Sequence, residues 1–232
     1  MNPFLLQIKQ NLIVSCQALE DEPLHGSGIM AKMALAAKAG GAKAIRCNTV
    51  SDSIAIKEET DLPIIAIIKQ DYEDSEIYIT PTLKEVKDLL TAEPEVIALD
   101  ATRRRRPHGE ELKDLVQYIH QHSSTLIMGD ISNEDDAAYA LECGVDILST
   151  TLSGYTDYSP TLTGPDFDLV ETLVNKYNTP IIAEGRISTP EMAKKMLELG
   201  AWSVVVGGAI TRPQQITKSF SSALTVAEKE EI

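Results

Sequence analysis

The run Pro180-Ile181-Ile182-Ala183-Glu184-Gly185-Arg186-Ile187 decides the fold, together with Ser203-Val204-Val205-Val206-Gly207-Gly208-Ala209-Ile210-Thr211-Arg212 about one helix later. Each is an apolar stretch of strand length bounded by proline or glycine, and residues 189–200 between them read as a helix. A strand–helix–strand unit with short loops, whose strands are apolar on both faces, belongs to a parallel sheet covered by helices. The first run ends in a carboxylate and a glycine, the second in a glycine pair. Glycines just past the last two strands leave backbone N–H groups bare to hold a phosphate.

Outward from this unit the same pattern repeats. Strands are predicted at residues 12–17, 44–48, 63–69, 96–101, 125–130 and 146–149. The helices between them fall at 29–39, 50–60, 83–91, 110–122, 133–143 and 167–177. An amphipathic lead-in occupies residues 1–11, a small hairpin 72–79, and a closing helix residues 213–232. Ala-Gly-Gly-Ala, Glu-Cys-Gly-Val and Glu-Leu-Gly-Ala precede strands two, six and eight, each a helix-ending glycine that turns the chain into the next strand. Eight such units without a linker predict a single TIM (β/α)8 barrel over residues 1–232, with phosphate-binding loops after strands 7 and 8. The alternative is an open doubly wound sheet. Its phosphate glycines follow strand one, where this chain offers only Gly26 and Gly28 and no GxGxxG.

Composition narrows the function. With 35 acidic against 21 basic residues the net charge is −14, a field that repels polyphosphate, so nucleic acid is not an expected partner. An anionic substrate then requires a local site of Arg, Lys or backbone amides. Cys16, Cys47 and Cys143 are odd in number and form no CxxC, as expected of reduced thiols in a cytoplasmic protein. The N-terminal residues lack the pattern of a signal peptide, and no apolar run approaches the ~20 residues of a membrane helix. The four histidines fall in loops or on a helix, so neither a metal centre nor a histidine triad is expected.

In a barrel the chemistry lies at the C-terminal strand ends. Those ends read Gln17, Arg46, Lys69, Asp100, Asp130, Thr150-Thr151, Glu184 and Gly207-Gly208, polar groups closing apolar runs. Lys69, leaving Ile-Ile-Ala-Ile-Ile, is either a desolvated amine fit for base or Schiff-base work or a lysine reaching out to solvent at the rim. Glu184 is a proton carrier, a ligand for a sugar hydroxyl, or the ion-pair partner of Lys69 or Arg46. Asp130 belongs to the site or caps the following helix. Arg46 grips an anion or carbonyl, or pairs with a neighbouring acid. Arg212 closes on a phosphate or is solvated. Gly185, Gly207 and Gly208 hold a phosphate or merely turn the chain. The run Arg103–Arg106 is assigned no role.

Six segments carry a resemblance: Ile-Val-Ser-Cys-Gln-Ala at 13–18, Ala-Ile-Arg-Cys-Asn at 44–48, Pro-Ile-Ile-Ala-Ile-Ile-Lys at 63–69, Leu-Asp-Ala-Thr at 99–102, Ser-Thr-Thr-Leu-Ser-Gly-Tyr-Thr at 149–156 and Ile-Ile-Ala-Glu-Gly-Arg-Ile at 181–187. Together they resemble the N-acylglucosamine-6-phosphate 2-epimerase family, which interconverts N-acetylmannosamine 6-phosphate and N-acetylglucosamine 6-phosphate in bacterial sialic acid breakdown. One departure is Ser149, where a glycine is expected ahead of the threonine pair. The resemblance implies a cofactor-free barrel, usually a homodimer, with Lys69 and Glu184 as acid/base residues. It implies that Gln17, Arg46, Asp130, Thr151, Gly154, Tyr155 and Arg212 hold the sugar and that Gly185, Gly207 and Gly208 bind its phosphate. The chemistry is coherent: removing the C2 proton of the ring-opened sugar gives an enolate, and returning it on the other face inverts C2. Lys69 and Glu184, on strands three and seven, would flank the sugar, with Arg46 steadying the enolate oxygen. The competing expectations are a Schiff-base lyase or aldolase using Lys69, and a phosphosugar-binding barrel without catalysis.

Overall fold

The structure, a computed structural model, describes residues 2–224. Eight parallel strands close into a barrel in sequence order: β1 (Leu12–Cys16), β2 (Ala44–Asn48), β3 (Ile64–Ile67), β4 (Val96–Asp100), β5 (Leu126–Asp130), β6 (Ile147–Ser149), β7 (Ile181–Glu184) and β8 (Ser203–Val206). Pairing of Leu12 with Val204 and Val14 with Val206 closes the ring. The helices are α1 (Pro3–Ile8), α2 (Ser27–Ala39), α3 (Val50–Thr60), α4 (Leu83–Leu90), α5 (Leu112–His122), α6 (Glu134–Cys143), α7 (Phe167–Lys176), α8 (Pro190–Glu198), α9 (Gly208–Thr211) and α10 (Pro213–Leu224).

Strand periodicity sorts the side chains into two layers. Ile13, Ala44, Ile65, Ile67, Val96, Ala98, Met128, Ile147, Ile182 and Val205 fill the barrel interior. Their neighbours Val14, Ile45, Ile64, Ile97, Ile127 and Leu148 face outward into the helix layer with Met30, Ile56, Leu89 and Ile119. Burial on both faces explains why the strands read as unbroken apolar runs. The interior parity carries upward, so that Ser15, Gln17, Arg46, Lys69, Asp130, Thr151 and Glu184 share the inward register at the C-terminal mouth. At the opposite end α1 stoppers the barrel: Phe4 and Ile8 join the interior cluster, and Trp202 donates its indole N–H to the Leu5 carbonyl at 2.8 Å.

Gly144 caps α6 at φ 96° and Gly200 follows α8 at φ 100°, left-handed turns in which a side chain is strained. The hairpin after β3 is present as two antiparallel bridges, Lys69 with Ile79 and Tyr72 with Ser75. Two expectations change. The glycine pair after β8 is not a bare loop, because Gly207 precedes the short helix α9. Of the predicted closing helix, α10 accounts for the part up to Leu224, and the remainder lies outside the described residues. Among the described residues, no helix is long and apolar enough to cross a membrane.

Candidate active site

A cavity of about 740 Å³ opens at the C-terminal mouth, lined by Gln17, Arg46, Lys69, Thr151, Tyr155, Glu184, Gly185, Gly207, Gly208 and Arg212. Strands four apart in a ring of eight face each other, so Lys69 from the end of β3 and Glu184 from β7 stand on opposing walls.

The floor is an ion network. Arg46, 1% exposed, gives its two terminal nitrogens to the carboxylate of Asp130, one of these contacts measuring 3.0 Å. The same guanidinium donates to Glu184 Oε2 at 2.6 Å and to Thr151 Oγ1 at 3.1 Å. Thr151 Oγ1 lies 2.6 Å from Asp130 and 3.3 Å from Glu184 Oε2, locking the three together. Burial lowers the Arg46 pKa, but Asp130 and then Glu184 more than offset this, and the net direction is upward; the cation is permanent. For Glu184 burial is the largest influence and raises the pKa. Arg46 opposes it, Asp130 adds to it, and the net direction is upward. The Glu184 backbone is fixed as well: its N–H donates to Thr150 Oγ1 at 3.1 Å, and that hydroxyl donates to the Glu184 carbonyl at 2.9 Å.

Lys69 is held differently. Its N–H donates to Asn48 Oδ1 at 2.8 Å, but its amine has no ion pair or side-chain hydrogen bond among the described residues. Burial lowers its pKa most, Arg46 and Arg212 lower it further, Glu184 and Glu22 partly oppose them, and it comes to about 8. Near neutrality such an amine exists in both forms and is able to take or give a proton.

At the β7 and β8 side Gly185 sits at φ 109°, and its N–H donates to no acceptor among the described residues. Gly208 opens α9 with its N–H likewise unclaimed, because the first turn of a helix has no internal acceptor. Arg212 lines the same side and is gripped bidentately by Glu22, at 2.8 and 2.7 Å, which raises its pKa. It is therefore neither a solvated residue nor an unpaired one.

Two predicted sugar ligands, Asp130 and Gly154, stand outside the cavity lining. Asp130 is fully buried and does not line the cavity; it caps no helix, since Asn133 caps α6, and it serves to hold Arg46. Gly154 does not line the cavity either. At φ 77° it passes so close to the Arg186 guanidinium that a Cβ there would overlap it. Arg46 lines the cavity with Nη1 shared among Asp130, Thr151 and Glu184 and Nη2 on Asp130, while its buried Nε has no partner among the described residues.

The sequence reading passed over Arg186, which lines the cavity at φ 53° and ties down the loop after β6 through the carbonyls of Ser153 (2.6 Å) and Gly164 (2.8 Å). Its guanidinium lies 5.1 Å from the Tyr155 ring centre. Its place directly after Glu184-Gly185 was the available signal. Glu22 and Tyr78 were passed over too. Each sits in a loop whose folding back over the barrel no local pattern announces. In the Arg103–Arg106 run, Arg106 is buried on the carbonyls of Pro81 and Asp100, and Arg104 donates to Asp100 Oδ2 at 2.7 Å, so part of the run is internal structure. Burial raises the pKa of Cys16 and of Cys47 to about 12, which leaves both thiols protonated. Among the described residues, no group of three or more His, Cys, Asp or Glu is arranged to hold a metal ion.

Residues 30–226 match the profile of the NanE family, described as "Putative N-acetylmannosamine-6-phosphate epimerase". A Clostridium perfringens protein named "Putative N-acetylmannosamine-6-phosphate 2-epimerase" is 60% identical over 217 residues, covering 94% of this chain and 98% of its own length. A Clostridioides difficile protein of the same name is 58% identical over 220 residues, covering 95% of this chain and 98% of its own. A solved structure of the N-acetylmannosamine-6-phosphate 2-epimerase from Clostridium perfringens superposes with a TM-score of 0.94 at 59% identity, over 96% of this chain and 97% of that one. On the profile match and these identities, the chain belongs to the N-acetylmannosamine-6-phosphate epimerase family.

Proposed function

We propose that this chain is a cofactor-independent epimerase that inverts C2 of N-acetylmannosamine 6-phosphate to give N-acetylglucosamine 6-phosphate, a step suited to sialic acid breakdown in the cytoplasm. The observation that carries the reading is the unpaired Lys69 amine, of pKa about 8, facing a half-buried carboxylate of raised pKa across a single cavity. Unclaimed N–H groups at Gly185 and Gly208 and the cation of Arg212 suit the phosphate, with Gln17, Thr151 and Tyr155 along the sugar. With the phosphate anchored there, the open-chain sugar extends across the mouth and sets C2 between Lys69 and Glu184. One group takes the C2 proton, the other returns a proton to the opposite face, and neither needs the sugar to rotate. Each such transfer contributes roughly 10²–10⁴-fold.

Proton NMR in D2O tests this. Wild-type enzyme should convert N-acetylmannosamine 6-phosphate with deuterium appearing at C2, and Lys69→Ala and Glu184→Gln should each slow conversion at least ~10²-fold. Product free of C2 deuterium under slow turnover, or near-normal turnover by Lys69→Ala, would remove the proposal. A second reading shares the free amine: a Schiff-base lyase would be trapped covalently at Lys69 by borohydride with substrate, and the epimerase would not.

We also infer a homodimer formed through α10. No residue of this helix is buried, and Phe220 and Leu224 are 70% and 78% exposed on it. An amphipathic helix of 12 residues gains its stability from packing, and a second copy supplies the missing surface.

A further inference from the structure

Arg46 Nη1 is already shared among Asp130, Thr151 and Glu184, and the oxygen that gains charge when C2 is deprotonated calls for a donor less bound to protein acceptors. We propose that it is the Tyr78 hydroxyl, donating a hydrogen bond to the C1 oxygen of the ring-opened sugar as the enolate forms. This rests on the epimerase reading above.

Tyr78 lies in the hairpin after β3 and lines the cavity. Its backbone is fixed beside the catalytic amine: the Gln70 N–H donates to the Tyr78 carbonyl at 3.0 Å, Thr80 donates to Ile68 at 2.7 Å, and Asp100 at the end of β4 donates to Ile79 at 3.1 Å. The ring packs against the barrel-interior cluster that contains Ile67, Ile79, Ala98 and Met128, which fixes its direction. The hydroxyl takes part in no hydrogen bond among the described residues. Its hairpin is bonded to Ile68 after β3 and to Asp100 at the end of β4, across the ring of eight strands from Gly185 and Gly208. A sugar anchored by C6 at those glycines, with C2 between Lys69 and Glu184, points C1 toward that far side. Burial raises the phenol pKa first, and Asp130 and Asp100 raise it further, so the proton stays on Tyr78 throughout as a neutral donor. A donor placed in advance where charge develops stabilises the transition state more than the ground state.

The test is Tyr78→Phe in the full-length chain, assayed beside wild type with N-acetylmannosamine 6-phosphate. The expected result is a kcat reduced ~10²-fold with KM little changed, and C2 deuterium incorporation slowed by the same factor. Calorimetric affinity for N-acetylglucosamine 6-phosphate should be retained, and the melting temperature should hold or rise, since the hydroxyl has no protein partner to lose. An unchanged kcat overturns the proposal, and so does a raised KM at preserved kcat, which would make Tyr78 a ground-state contact. A lowered melting temperature also overturns it by revealing a structural partner. An active wild type with an indifferent variant sinks this inference alone; a wild type inert toward the sugar sinks the epimerase reading with it.

Discussion

Lys69 and Glu184 reach working pKa values by opposite uses of the same burial. Desolvation disfavours whichever form is charged, so it lowers the amine toward about 8 and raises the carboxyl. Arg46 pushes the two in one direction: it repels the ammonium and stabilises the carboxylate. The proposed two-group mechanism predicts a bell-shaped kcat/KM profile, because in it each direction of epimerisation needs one group protonated and the other not. The reverse arrangement of protons has the same pH dependence, so one bell serves both directions. Its acid limb belongs to Glu184 and lies above the ordinary carboxylate value; its alkaline limb belongs to Lys69 and falls near pH 8. Initial rates measured from pH 5 to 10 check this, and a profile flat through pH 8 would remove Lys69 from the proton transfer. Both residues were visible in the sequence, because a charge at the end of an apolar strand has few ordinary explanations. Pairing of Glu184 with Arg46 stood among the open readings of the sequence, and only the structure chose it over Lys69, whose amine has no ion pair among the described residues. The distance from Arg46 to Glu184 is a matter of strands β2 and β7, which meet only across the closed ring.

The site is built less by single residues than by strand ends that brace one another. Asp130 from β5 holds Arg46 from β2, and Arg46 holds Glu184 from β7, with Thr151 after β6 touching all three. Each of the three charges, on Arg46, Asp130 and Glu184, would cost several kcal/mol if isolated there, and only the network makes the set tolerable. Asp130→Ala leaves Arg46 short of an anion and should destabilise the fold by ~3–5 kcal/mol, read by urea unfolding. The same change removes the negative charge that raises the Glu184 pKa, so the acid limb of the rate profile should shift to lower pH. A variant of wild-type stability with an unmoved acid limb would contradict the network. At this scale the strand boundaries were legible to within about two residues, because apolar runs and glycine stops are local signals. The short helix α9 was not, since its four residues carry no periodic pattern and it is held by Thr211 donating to the Ser15 carbonyl at 2.7 Å, from the other end of the chain.

Across the whole molecule, the mouth of the barrel is walled on one side by α10. Ile216, Ser219 and Phe220 of that helix edge the cavity while its apolar face stays open. The proposed α10 dimer would couple assembly to substrate binding, since a partner covering Phe220 would also wall the β8 side of the cavity. Phe220→Asp should shift sedimentation from dimer toward monomer and raise KM for the phosphosugar, with the barrel still folded by circular dichroism. A variant that sediments as wild type would exclude α10 from the interface. The charge of −14 makes the local cluster of Arg46, Arg186, Arg212 and Lys69 all the more necessary for an anionic substrate, since the molecule as a whole repels one.

The sequence by itself determined the barrel, the order of its strands and the inward polar residues at their ends, because burial on both faces and glycine-marked turns are written in consecutive residues. Tertiary structure alone decided which of those residues touch open space and which only hold their neighbours. Asp130 and Glu184 look alike along the chain, yet one is sealed beneath Arg46 and the other faces the cavity. That difference comes from ring closure, which brings β2, β5 and β7 to one floor and lets a single arginine serve two acids, and contacts between residues more than 80 positions apart leave no periodic trace.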